Sequence, residues 1–168
     1  MTRGAAEPAE RFVRLAAAVR QRREQLAKIV DEARQALADF SETEPPLREL
    51  RGISAILHDF YTAIEHVFET IAPELNGGLP AGESWHRELL TNMTLDLPGL
   101  RPPVLGAETA HALDDFLRFR HLFRNVYGFE LEWSRVRALL EQLPAAWRKL
   151  ETDLDRFLAF LDAAAGKE

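Results

Sequence analysis

The chain has 168 residues, 46% hydrophobic and 29% charged, a balance that supports one folded domain with a sizeable core rather than a disordered polymer. It contains no cysteine, which excludes disulfides and thiolate metal sites and suits a reducing compartment. The formal net charge of −6 argues against broad binding to a polyanion but leaves room for a local basic site. No apolar run approaches the ~20 residues that span a bilayer. The Ala-, Arg- and Glu-rich beginning lacks the apolar stretch of a signal peptide, so a cytoplasmic protein with no membrane partner is expected.

Good helix formers dominate. Glu7-Pro8 opens the first helix, with Pro in its first turn. From Phe12, through Leu15, Val19, Leu26, Ile29, Val30, Ala33 and Leu37 to Phe40, apolar residues recur at steps of three, four and seven, which predicts an amphipathic helix ending near Phe40. Its other face carries Arg14, Arg22, Arg23, Glu24, Lys28 and Asp31. The prolines at 45 and 46 close the following turn, since proline cannot continue a helix interior.

A second helix is predicted from about Pro46 to Leu75 on Leu50, Ile53, Leu57, Phe60, Ile64, Val67, Phe68 and Ile71, and Asn76-Gly77-Gly78 ends it. On it, His58 is expected to pack, while Glu65 and His66 face solvent or an interface. A shorter third helix runs from about Glu83 to Met93, followed by a stiff loop from Leu97 to Pro103. The fourth starts near Gly106 and ends near Tyr127, with Gly128 as a left-handed C-cap. The fifth runs from about Glu132 to Ala165, with Pro144 a point for a kink or a break. Trp85, Trp133 and Trp147 read as core or interface anchors. No strand and no internal repeat is legible. The fold class is all-α: an antiparallel up-and-down bundle of about five helices, forming a single domain over residues 1–168.

Charge is unevenly placed. From Leu117 to Arg137, arginines 118, 120, 124, 135 and 137 face only Glu130 and Glu132, a net +3 in an acidic protein. Within this stretch stands Phe116-Leu-Arg-Phe-Arg120-His-Leu-Phe-Arg124-Asn125-Val-Tyr127-Gly128-Phe-Glu-Leu-Glu-Trp133. An Arg-rich helix end, then Tyr-Gly, then a restart resembles the HepT-like branch of the HEPN ribonuclease superfamily. The resemblance extends to the preceding Arg101-Pro102-Pro103-Val104-Leu105 loop and covers about the C-terminal two-thirds of the chain.

The resemblance implies a HEPN-like helical toxin of a toxin–antitoxin system. Such proteins are homodimers that cleave RNA without a metal or cofactor. A cognate MNT-type nucleotidyltransferase, the antitoxin, neutralises them by adenylylating a motif tyrosine. The family motif is Arg, four residues, His, one residue, then Tyr. Carried over, Arg120 would hold the phosphate, Tyr127 would position RNA and be the modification target, and Arg118 and Arg124 would bind RNA, whether tRNA or mRNA. The dimer would form through the fourth-helix region.

Asn125 stands where the motif has histidine. Histidine suits proton transfer because its pKa lies near neutrality, whereas asparagine only donates or accepts hydrogen bonds. Arginine stays charged and clamps phosphate through its planar fork. Three accounts stay open: His121, next to Arg120, is the alternative proton-transfer group; the chain is a natural homologue that only binds; or Asn125 is a substitution that permits expression of a toxin. Arg120, Arg124 and Tyr127 share one helical stripe, and His121 sits about 100° round from Arg120.

Two other functional classes compete. A non-catalytic module would use the same bundle to hold a nucleotidyltransferase partner or RNA. A di-iron bundle is suggested by Glu83-x-x-His86 and Glu108-x-x-His111, since one turn puts such pairs on one face. Both pairs fall at helix starts, where the helix dipole already accounts for glutamate, so no metal site is expected.

Overall fold

In the computed structural model, which describes residues 8–125 and 131–166, the chain forms five helices. They are α1 (Pro8–Asp39), α2 (Leu47–Leu75), α3 (Trp85–Asn92), α4 (Ala107–Asn125) and α5 (Trp133–Ala164). The expected α4 end at Tyr127 and the Gly128 cap lie outside the described residues. Among the described residues the sole strand-like pairing is one isolated bridge between Leu97 and Arg101.

The longest helices carry the bundle. α1 and α5 each have 32 residues, about 48 Å at 1.5 Å per residue. They run antiparallel: Phe12 at the start of α1 meets Phe160 near the end of α5, and Phe40 just past α1 meets Trp133 at the start of α5, both edge to face. Salt bridges from Arg20 to Asp162 and from Arg23 to Glu151 and Asp155 follow the outer edge of the same pair. α2 is antiparallel to α1 as well, with Arg11 paired to Glu74. α1 therefore lies lengthwise against α5 and pairs with α2 as well.

α5 runs unbroken through Pro144, where a kink or break was expected. Leu140, Leu143, Ala146 and Trp147 on either side of it are buried, so packing holds the turn that proline leaves one hydrogen bond short. α2 likewise contains Pro73, in its last turn. Gly77 beyond it adopts φ +81°, the left-handed conformation that suits glycine.

The core runs along α2, with Leu57, Phe60, Ile64, Phe68 and Ile71 fully buried. Each such side chain contributes ~1.5–3 kcal/mol of burial. Phe60 meets Phe116 of α4 edge to face at 5.2 Å, which sets α4 against α2. Asp153 of α5 accepts from the Gly106 backbone N–H at 2.8 Å and so holds the start of α4.

The short α3 is fixed differently. Arg101, 3% exposed, donates from Nε to Asn76 Oδ1, from Nη1 to the carbonyls of Leu95 and Pro102, and from Nη2 to that of Asn92. One guanidinium thus joins the end of α2, the end of α3 and the loop leading to α4. Burial holds its pKa below the usual arginine range, with Asp96 pulling the other way.

Candidate functional site

Three helices converge where α2 leaves the core stripe. Tyr61 and Glu65 lie one turn apart beside that stripe, and both are buried. Glu65 is 2% exposed, which corrects the expectation that it faces solvent or an interface. The arc of α2 covered by α3 and α4 is wider than its apolar stripe, and those helices supply polar partners that make burial of the carboxyl tolerable. The other expectations for α2 hold: His66 is exposed, and half-buried His58 packs on Phe123 at 5.2 Å.

Arg120 Nε lies 2.6 Å from Glu65 Oε1, with side-chain exposures of 7% and 3%. Its N–H is not aligned on the carboxyl, so the contact is one of charge against charge. The second carboxyl oxygen of Glu65 contacts His86 Nδ1. Arg120 Nη1 lies 3.4 Å from His86 Nε2, closing a triangle drawn from α2, α3 and α4.

The protonation states follow from this geometry. Burial pushes the Glu65 carboxyl up to about 7, with Arg120 pulling it down. Burial, then Arg120 and Arg124, push His86 down to about 4. His86 is therefore a neutral imidazole at neutral pH, donating from Nδ1 to Glu65 and accepting at Nε2 from Arg120. Among the described residues the Tyr61 hydroxyl has no hydrogen-bond partner, and burial followed by the Glu65 charge raises it well above the usual phenol range.

A cleft of about 470 Å³ opens beside the triangle. His86 and Arg87 line one wall, and Leu117, Arg118, His121 and Leu122 of α4 line the other. Asp114 holds both rim arginines, Arg87 at 2.5 Å and Arg118 at 2.7 Å. Glu83 also lines the cleft, so its two arginines stand beside two carboxylates, Glu83 and Asp114; the two imidazoles of His86 and His121 suit proton transfer.

The residues expected to form the site separate into groups. Arg120 belongs to the buried triangle. Arg118 and His121 are exposed on the cleft wall, while Arg124 is exposed and near enough to act electrostatically on Glu65 and His86. Asn125 is exposed at the end of α4, and its Nδ2 donates to the His121 carbonyl at 2.9 Å. Tyr127 lies outside the described residues. Glu65 and His86 were not anticipated as partners of Arg120. A glutamate one turn after a tyrosine beside an apolar stripe was the available hint for the first; nothing in the local pattern tied His86 to Arg120.

The two Glu-x-x-His pairs do not act as units. His86 is held by Glu65 rather than Glu83, and Glu108 pairs with Lys149 at 3.2 Å. Among the described residues no three His, Asp or Glu side chains come together as metal ligands, and no helix is long and apolar enough to cross a membrane.

Fold and site together define a helical-bundle protein with a cleft between its third and fourth helices, lined by histidine, arginine and leucine side chains. The model of a family described as HepT-like protein matches residues 52–161, and the chain belongs to that family. The match takes in most of α2, all of α3 and α4 and nearly all of α5, hence every residue of the triangle. The family suggests a ribonuclease-type module of toxin–antitoxin systems. Comparisons with curated proteins and with solved structures found no match.

Proposed function

We propose that this chain is the ribonuclease toxin of a toxin–antitoxin pair, taking the RNA backbone into the cleft between α3 and α4. The observation that carries this reading is the Glu65–Arg120–His86 triangle beside that cleft, on the helix whose sequence resembles the HepT motif. Arg118, His121 and Arg124 supply the exposed polar surface that RNA would meet, with Arg120 behind them as the phosphate-directed charge. Asn125 occupies the motif histidine position. Two copies would associate through the α4 region. An MNT-type nucleotidyltransferase would neutralise the toxin by adenylylating Tyr127.

Incubation of tRNA and mRNA with the native chain and with Asn125→His tests the nuclease reading. Cutting by either supports it; no cutting by both, together with RNA binding unchanged by Arg118→Ala, refutes it. Co-expression with a neighbouring nucleotidyltransferase tests the second part, through an AMP mass increment that Tyr127→Phe abolishes.

One observation favours a non-catalytic alternative. The Asn125 amide is turned back onto the His121 carbonyl, and the Arg120 charge is already met by Glu65. Binding of RNA or a nucleotidyltransferase without cleavage, even after Asn125→His, would select that reading.

A further inference from the structure

We propose that His86 is the proton-transfer residue of this cleft, oriented by Glu65, so that the chain cleaves RNA without a histidine at position 125; this rests on the ribonuclease reading above. A general base needs a free lone pair, a fixed ring and access to the reacting hydroxyl. His86 has the fixed ring and the access, and its Nε2 lone pair is met by Arg120 Nη1 at 3.4 Å, a long contact that a substrate hydroxyl can replace. Its Nδ1 is engaged by Glu65, which fixes the tautomer and leaves Nε2 as the basic atom. Its side chain is 18% exposed and lines the cleft wall, so it is both held and reachable.

The other candidates lack one of these features. Asn125 takes up no proton, and its amide is bonded to the His121 carbonyl. His121 lines the cleft but is exposed, and among the described residues no carboxylate lies within ion-pair distance to orient it. The charged and titratable groups acting on His86 are Glu65 and Glu69 from α2 and Arg120, His121 and Arg124 from α4, with Glu83 and Arg87 beside it on the cleft.

The step balances without any further reagent. His86 Nε2 takes the proton of the RNA 2′-hydroxyl, and the 2′-oxygen forms a bond to the adjacent phosphorus. The bond from phosphorus to the 5′-oxygen breaks, and that oxygen takes a proton from water in the open cleft. The products are a 2′,3′-cyclic phosphate and a 5′-hydroxyl, and His86 then releases its proton to solvent. Arg120 gives the step its timing. Burial is the main cause of the low basicity of His86, and Arg120 adds to it; a phosphate drawn toward the guanidinium offsets the Arg120 part of that effect.

The test is RNA cleavage by the native chain, His86→Asn, His121→Asn, Glu65→Gln and, as a control, His111→Asn, which alters an exposed histidine on another part of α4. His86→Asn is expected to lower kcat by ~10²–10⁴ while leaving RNA affinity nearly unchanged. The low-pH limb of the native kcat profile should follow the His86 imidazole titration seen by NMR and should move in Glu65→Gln. Cleavage by His86→Asn at the native rate overturns the proposal, as does a low-pH limb that follows His121. If His86→Asn fails to fold, that limb assignment on the native chain decides. Cutting by both native and His86→Asn removes this proposal and leaves the ribonuclease reading standing; a native chain that cuts nothing removes this proposal, and if Asn125→His also cuts nothing and Arg118→Ala leaves RNA binding unchanged, the ribonuclease reading falls with it.

Discussion

Replacing Arg120 by alanine leaves the Glu65 carboxyl buried without its cation. The two side chains are 7% and 3% exposed, so solvent does little to screen the loss. Removing one partner of such a pair costs ~3–5 kcal/mol. At ~2–4 °C per kcal/mol for a domain of this size, Tm should fall by ~6–20 °C. The sign of the pH dependence is fixed by Glu65. Its folded pKa, about 7, lies above the ordinary carboxyl value, so the stability it contributes is present at low pH and lost as pH rises through about 7. Arg120 pulls that value down, so its removal pushes the carboxyl higher still. The protonated carboxyl then bears burial at small cost, and the deficit of the variant should be larger at pH ~8 than at pH ~5. Urea and thermal unfolding followed by far-UV circular dichroism measures both. A cost below ~1 kcal/mol at both pH values would refute the buried pair. Apolar replacement of both partners, Glu65→Leu with Arg120→Met, should recover much of the loss.

His86 and Glu65 act on stability in opposite directions. The depressed His86 value, about 4, makes stability fall as pH drops from ~6.5 toward 4, while the raised Glu65 value makes it rise over nearly the same range. His86→Asn should therefore convert a flat native profile of unfolding free energy into one that climbs on acidification; an unchanged profile would contradict the assignment. Asp153→Ala removes the acceptor for the Gly106 N–H and the partner of Arg156, and should cost ~0.5–2 kcal/mol in urea unfolding. Arg101→Met deletes four hydrogen bonds from a buried cation, each of a kind worth ~1.5–3 kcal/mol, and should speed amide exchange in α3 well before α1 or α5 is affected.

Much of the architecture was legible because its causes are local. Apolar spacing marks α1 and α2 directly, and the observed ends, Asp39 and Leu75, fall at or within a residue of the expected ones. Pro144 marks a point for a kink or a break, and the break does not occur, since buried Leu140, Leu143 and Trp147 hold α5 together across it. The site was less legible. Arg120 was singled out by resemblance, and the structure gives it partners. Glu65 read as an outward residue because the side chains that bury it come from helices remote in sequence. His86 was noticed only in the wrong company, beside Glu83, because a one-turn spacing is visible in a sequence and a meeting of three helices is not.

The dependence of α3 on Arg101 has a bearing on how this protein can change. α1, α2 and α5 are long, whereas the eight residues that carry His86 are fewer than a free helix needs to persist in water and are held by buried Leu89 and Leu90, by the Arg101 guanidinium on the Asn92 carbonyl and by the Val104 and Leu105 N–H groups on that of Met93. Substitutions in the loop from residue 94 to 103 should therefore shift α3, and His86 with it, while α1, α2 and α5 stay packed.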